Sequence, residues 1–389
     1  VTDTNPYEHF PAQSGLSDHA EKARNRLSID FADSSLSVAQ KSFQPAQAEE
    51  VQRLLQGSDD YVRAARTSEV NNRPQVQVRA GESIQRAIDN APAGAVINVE
   101  RGVYREKLDI KKDGITLKGD GKAVLDMGDR PLNGAAINIS GRKNITIDGF
   151  EIKNVNGGQT PTGIRVDGAS SNIKIINNDI HHIKSNKNAH GIGVFGDSTQ
   201  PIRDVLIKDN RVHDLKLGQS EAVVINGNVE GFKIIGNTIR DNDNIGIDII
   251  GGEGVGKKGI DRARKGLIAG NVVANIDTRN NPTYRSMSAA GIYVDGGSDI
   301  TIRDNVVKNS NYGIELASER RGWNTTNIHV HGNRIEGSHL AGISLGGGSA
   351  SNGGVTDSRI ENNTLIGNKR AIWKQHNVKN VHIGDNPTK

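Results

Sequence analysis

Cysteine is absent from this chain, so no disulfide staples it and no thiolate can hold a metal. That absence leaves the compartment open, because many secreted proteins also lack cysteine. Aromatic residues make up only 4% and hydrophobic residues 34% of 389 residues. A single large globular core of that length needs more apolar side chains than this. No apolar run approaches the roughly 18 residues of a membrane-crossing helix. Proline is sparse, with 10 residues, whereas glycine is abundant, with 46. A repeat protein tolerates such a composition, because each repeat buries only a thin strip against its neighbours. The net charge of +4 and pI of about 9.1 lean mildly toward an anionic partner. The sequence opens at Val1 rather than Met, as a chain freed of a leader or trimmed from a longer one would.

What the chain does contain is one short pattern, Gly-Ile-x-aliphatic, used many times. It occurs at Gly163–Val166, Gly191–Val194, Gly246–Ile249, Gly291–Val294, Gly313–Leu316 and Gly342–Leu345. Looser copies lie at Ala136–Ile139, Ala222–Ile225 and Ala371–Lys374. In a strand, neighbouring side chains face opposite ways, so the two aliphatics point to one side and the middle residue to the other. A second strand, ending in Asn, follows each copy. These asparagines are Asn178, Asn210, Asn237, Asn271, Asn305, Asn333, Asn363 and Asn386, spaced 32, 27, 34, 34, 28, 30 and 23 residues apart. A period between about 20 and 50 residues signals a solenoid. Two or three short strands per turn fit a parallel β-helix, with the asparagines stacking as a ladder at one corner. The uneven spacing implies loops of different length on one side.

The rest of the chain frames this domain. Residues 1–74 carry no copy of the repeat and read as an N-terminal arm, helical or irregular, with helices expected over 16–27, 46–56 and 59–66. Asn71–Pro74 reads as the linker. Residues 75–389 form the β-helix domain. Its start is a short amphipathic helix: Ser83 is the cap, and Ile84, Ala87, Ile88 and Ala91 share one face. Pro92–Val99, Gly102–Tyr104, Leu108–Ile110 and Gly114–Gly119 continue as turns and short strands.

The capped start, the Gly-Ile-x-Val strands and the Asn corners together resemble secreted right-handed parallel β-helix proteins of the pectate-lyase-like superfamily. The resemblance covers residues 76–389. It implies an all-β fold, a secreted or periplasmic location, and a carbohydrate-active enzyme, in first place a polysaccharide lyase acting by β-elimination. Glycoside hydrolases and epimerases share this architecture, and a non-catalytic polysaccharide-binding surface protein uses the same face. The resemblance also implies an anionic polysaccharide as partner, rather than nucleic acid or a membrane. Calcium is the cofactor it suggests.

Aligning the repeats gives the outward row: Asn138, Arg165, Gly193, Val224, Asp248, Tyr293, Glu315, Ser344, Trp373. Two residues on lie Ser140, Asp167, Phe195, Asn226, Ile250, Asp295 and Ala317. Asp248, Asp295 and Glu315 thus fall on consecutive coils. Crowded carboxylates are expected either to hold a calcium ion among those three or to do acid–base work with pKa values pushed apart. Glu221 precedes its strand, and Glu253 and Glu319 sit in the turns after theirs, placed to line the same patch. In the lyase reading Arg264 joins the three carboxylates as a catalytic group, and Arg320 neutralises a uronate, a role also open to Arg262, Arg285, Arg321 and Lys374. Glu221, Glu253, Tyr293, Arg320 and Asn226 are the expected substrate contacts. Tyr293, Tyr312, Trp323 and Trp373 offer faces for sugar stacking. The histidines His181, His182 and His190 read as structural. The chain lacks an Asp-Asp-x-x-Asp calcium loop and the Asp-Pro-His-Asp motif of mannuronan epimerases. Removal of residues 1–70 should leave a folded solenoid, detected as a proteolytic core beginning near Val76; aggregation of the truncated chain would instead make the arm an edge cover.

Overall fold

A computed structural model describes residues 72–128, 134–158 and 160–389. The expectations for the arm lie outside the described residues. The rest is a right-handed parallel β-helix with three strands per coil. The coil that starts at Ile247–Ile250 continues through Arg264–Ala269 and Val272–Ile276 before the next begins at Ala290–Asp295. The first strands of successive coils, from Leu108–Ile110 to Ile372–Lys374, stack into one ten-stranded sheet, called here the front sheet. The second and third strands stack into two further ladders. These merge through the long strands Thr116–Asp126 and Lys143–Lys153, each of which bends through both.

The helix Ile84–Asn90 (α1) is capped by Ser83, whose hydroxyl accepts from the Arg86 amide at 3.1 Å. The Glu106 carboxylate accepts from the Ser83 hydroxyl and the Ile84 amide, both at 2.7 Å. An anion at exposed helix amides is favourable, and here it ties α1 to the first coil. Ile84 and Ile88 are fully buried in the solenoid core.

The interior is a column of aliphatics, mostly isoleucine, closed at one corner by the asparagine ladder. From Asn178 to Asn386 each side-chain amide donates to the side-chain carbonyl of the next asparagine at 2.8–3.0 Å. That carbonyl also accepts the preceding asparagine's backbone N–H at 2.9–3.1 Å. A second donation runs to a backbone carbonyl of an earlier coil, as from Asn271 to Ile234 at 2.9 Å. The residue before most ladder positions has positive φ: Asn177, Asp209, Gly236, Gly270, Asp304, Gly332 and Asn362. Gly, Asn and Asp bear that conformation best, so a two-residue signature makes the corner.

The repeat glycine has a separate cause. At Gly313 a Cβ would lie 2.3 Å from Ile335 and 2.4 Å from the Gly342 carbonyl, so coils could not approach. Replacing Asn271 by Ala removes the acceptor for two buried N–H donors of Asn237. The expected cost is about 2–4 kcal/mol in urea unfolding. Asn386→Ala, at the end of the ladder and half-exposed, should cost clearly less; equal costs would show that the ladder is not what closes the corner.

Candidate functional site

The front sheet carries the alignment read from the repeats. Val224 pairs with Asp248, Asp248 with Tyr293, Tyr293 with Glu315, Glu315 with Ser344, and Ser344 with Trp373. Their neighbours Ile247, Ile249, Ile292, Val294, Ile314 and Leu316 all lie in the solenoid core, so the row faces outward. With strands about 4.8 Å apart and about 3.3 Å per residue, the Cα atoms of Asp248 and Asp295 are separated by about 8 Å, and those of Asp248 and Glu315 by about 10 Å. Carboxyls borne on such positions can approach the roughly 5–10 Å at which glycosidase pairs work.

Outward, however, does not mean exposed. Asp248 is 2% exposed and Asp295 5%. The cover comes from loops that the repeat does not encode. Residues 251–263 form a flap that folds back on itself: Gly251 bridges Arg262, and the Asp261 carboxylate accepts from the Gly254 and Gly256 amides at 2.6 and 2.7 Å. Trp323, from the turn after the Glu315 strand, latches this flap. Its indole N–H donates to the Gly296 carbonyl at 3.0 Å, and a Cβ at Gly251, Gly252 or Gly296 would come within 3.1 Å of its ring. The Arg262 guanidinium lies 4.5 Å above the same ring. Trp323 is therefore occupied and not a free stacking face. Tyr293 is buried among Ala290, Ala317 and Tyr312, which removes it too from that role. Tyr312 and Trp373 remain half-exposed, 6.2 Å apart between ring centres, with Arg370 on the Trp373 ring.

Burial and like charge set the chemistry of the cluster. Burial pushes the Glu221 carboxyl up to about 8, and Asp295, Glu319 and Glu253 add to the rise. It raises Asp248 well above the ordinary carboxylate range, with Glu221, Asp295 and Glu319 adding. Asp295 rises to about 7 by burial, held down in part by the Glu319 amide, which donates to it at 2.9 Å. Glu315 rises to about 8 by burial, with Glu319 adding and the Ser344 hydroxyl opposing. Lost hydration, then Glu253, raises Glu319. No Lys or Arg is among the groups that shift these five. One carboxylate oxygen of Asp248 is buried without a hydrogen-bond partner. Within the chain, burial and the neighbouring acids favour the protonated forms here.

The other expected site residues divide. Glu221, Asp248, Asp295 and Glu315 come together, and Glu253 reaches them from the flap. Asn226 pairs with Ile250 beside them, and its buried side-chain oxygen is also unpartnered. Arg264 does not join them. Its guanidinium donates to Glu230, Asn228 and the Arg262 carbonyl, each at 3.0 Å, and so anchors the foot of the flap. Arg320 is exposed on the turn that carries Trp323. Among the described residues, no three His, Asp or Glu side chains are grouped to hold a metal ion. Two contributions, one from a strand start and one from a loop, were harder to see from the repeat. His190 lies 3.5 Å from the Glu221 carboxylate, and burial pushes its pKa down to about 4, so it is a neutral imidazole there. Tyr284 is raised by burial and then by Glu319 and Glu221, which it faces from the loop before the Asp295 strand.

These shifts fix the sign of a pH effect. The three acids with values near 7 to 8 keep their protons in the folded chain after an unfolded chain, titrating near 4, has released them. Stability should therefore fall as pH rises from about 4 to about 8 and level off above, by up to about 1.4 kcal/mol per pH unit for each group. Thermal unfolding across that range checks it. Asp295→Asn and Glu315→Gln should flatten the slope and raise Tm at neutral pH; an unchanged slope in the double variant would locate the titration elsewhere.

Among known proteins, the chain is 37% identical over 354 residues to the "Uncharacterized protein YwoF" of Bacillus subtilis (strain 168), covering 85% of this chain and 75% of that one. Its fold is similar to the alginate lyase from Paenibacillus sp. str. FPU-7, with a TM-score of 0.55 at 16% identity, over 80% of this chain and 99% of that chain. It is also similar to the tailspike protein of E. coli bacteriophage HK620, solved with a pentasaccharide, with a TM-score of 0.56 at 11% identity, over 85% and 61%. At these identities the two structures speak to fold alone. The model of the right-handed beta helix region matches residues 104–258 and 263–365, well over half of the sequence. The chain belongs to the right-handed beta helix family.

Proposed function

We propose that this protein is an extracellular or periplasmic carbohydrate-active enzyme that hydrolyses a glycosidic bond, with Asp248 as general acid and Asp295 as its ionised partner. The observation that carries the reading is the pair's divided environment. Asp248 is buried, raised well above the usual range and unpartnered at one oxygen, so it holds a proton and has a free direction in which to give it. Burial raises Asp295 to about 7, and the Glu319 amide opposes that rise by favouring its charged form. Two acids whose environments push their pKa values apart take the acid and base roles. The fold relatives named above act on or bind polysaccharides by their descriptions, which supports the substrate class.

Hydrolysis is favoured over the β-elimination expected from the resemblance for one reason. Elimination on a uronate needs positive charge at the sugar carboxylate and a base for the C5 proton. Arg264, the side chain expected to supply that charge, is committed to Glu230 and Asn228. A neutral or weakly charged glycan suits such a site better than a polyanion. The outward row gives its path: Arg165 and Phe195 at one end, the carboxyls in the middle, Tyr312 and Trp373 at the other. Tyr284, Tyr293 and Asn226 line the middle.

The test is a panel of neutral and uronate polysaccharides, read for new reducing ends and for unsaturated product. Reducing ends without unsaturation are expected. Asp248→Asn and Asp295→Asn should each lower kcat by at least about 100-fold, the usual range for a lost acid or base, while Tm stays level or rises. The kcat/KM profile should show an acidic limb near pH 7, where Asp295 ionises. Unsaturated product would restore the lyase; glycan binding without turnover, unchanged in both variants, would make the protein a binder.

A further inference from the structure

A second cleft lies away from the carboxyl cluster, at the corner where the third strand of each coil turns toward the front sheet. It measures about 530 Å³ and shares no lining residue with the cluster. Five successive coils contribute to it, through Asn156, Lys184, Lys216, Asp243 and Asp277 among others. Asn156, Lys184 and Lys216 stack by parallel backbone bridges. At about 4.8 Å per coil the cleft is about 19 Å long, running along the solenoid axis. That is the shape for a chain, not for an ion or a single small ring.

Its polar groups are mostly satisfied from within. Asp277 is held down to about 2, against its burial, by Arg279 and Asn311. Asp214 contacts His213 at 2.6 Å, and Asp241 accepts from Asn275 at 2.8 Å. Two groups are not satisfied. The side-chain oxygen of Asn156 and one carboxyl oxygen of Asp243 are buried without a partner, in residues only 9% and 8% exposed. They sit on the first and fourth coils of the cleft, about 14 Å apart. The other Asp243 oxygen accepts the Leu217 amide at 2.7 Å, which fixes the carboxyl in place. Buried polar atoms without partners are rare, and each calls for an explanation.

We propose that this corner cleft is a second binding site for an extended neutral oligosaccharide, whose hydroxyls pair with Asn156 and Asp243. The Asn156 oxygen requires a donor. Burial raises Asp243 against the Leu217 amide, Lys216 and Asn281, and a hydroxyl can meet a carboxyl in either protonation state where an ammonium serves one. Lys184 and Lys216 on the same wall oppose a polycation, and the ionised Asp277 opposes a polyanion. The aliphatic side chains of the lining, Ile183 and Leu215, are themselves buried, so the wall offers no large hydrophobic side chain to an apolar peptide. A chain held here runs along the same axis as one held on the front sheet, so the second site would retain a polymer beside the first.

Hydrogen–deuterium exchange on the full chain tests this, with maltohexaose, cellohexaose and laminarihexaose as probes and spermine as the cationic control. At least one hexasaccharide should slow exchange in peptides covering 182–185, 214–217 and 241–244. Asn156→Leu removes an unpartnered oxygen at similar volume, and Asp243→Asn keeps the acceptor for the Leu217 amide, so both variants should fold. Each should weaken that protection at least tenfold in ligand concentration, while protection at 247–250 and 290–295, where seen, persists. The proposal is overturned if none of the three sugars protects the corner, if protection survives both variants, or if spermine alone protects it. None of these outcomes depends on whether Asp248 and Asp295 perform hydrolysis.

Discussion

A single side-chain amide, repeated from Asn178 to Asn386, holds this molecule in register. From Asn210 on, each copy receives a backbone N–H and a side-chain N–H at one oxygen, and gives both of its own protons to carbonyls. No free group is left at a corner where the backbone must turn through a left-handed residue. Register follows from this. A slip by one residue would turn every outward side chain of a strand into the aliphatic column, carrying Asp248 or Glu315 into an interior with nothing to pair them. The ladder thus guards the placement of the carboxyls from the opposite side of the coil, without touching them.

The carboxyls illustrate a choice between two ways of crowding like charges. A cation can neutralise them, or they can keep protons. Here the groups that shift Glu221, Asp248, Asp295 and Glu315 are burial and one another. Arg262, within the flap, lies on the Trp323 ring, and Arg264, just after it, has its charge spent on Glu230. Burial of an acid without a counter-ion costs stability, which a solenoid can carry locally. Each coil gains its own apolar column and its own two neighbours, so the cost at three central coils is offset by intact coils on either side.

The strand alternation made most of this legible in advance. Gly-Ile-x-aliphatic fixes which residue faces out, and the asparagine spacing fixes where each coil ends, so the pairing of Asp248, Tyr293 and Glu315 could be read from order alone. What strand patterns do not encode is what lies above the sheet. Trp323 looked like an outward aromatic, but it packs on Gly251, Gly252 and Gly296 because the flap brings those glycines to it. Arg264 looked like a groove residue, but it is the first residue of its strand and faces Glu230 on the neighbouring coil. His190 read as structural for want of a shared spacing, yet the next coil sets Glu221 against it. In each case the deciding contact comes from a loop or an adjacent coil, and loop conformation carries no period.

The uneven spacing of the asparagines is therefore where chemistry enters a repetitive fold. The two 34-residue intervals, Asn237 to Asn271 and Asn271 to Asn305, contain the flap at 251–263 and the loop at 277–289. The extra residues fall on the two edges of the front sheet, and the carboxyls lie between them. A coil of minimum length would leave Asp248 and Asp295 in water, where both would ionise near 4 and neither could serve as an acid at neutral pH. Length added to the loops, with no change in the strands, buries both and raises both pKa values. What surrounds an outward aspartate, more than the aspartate itself, then decides what it can do.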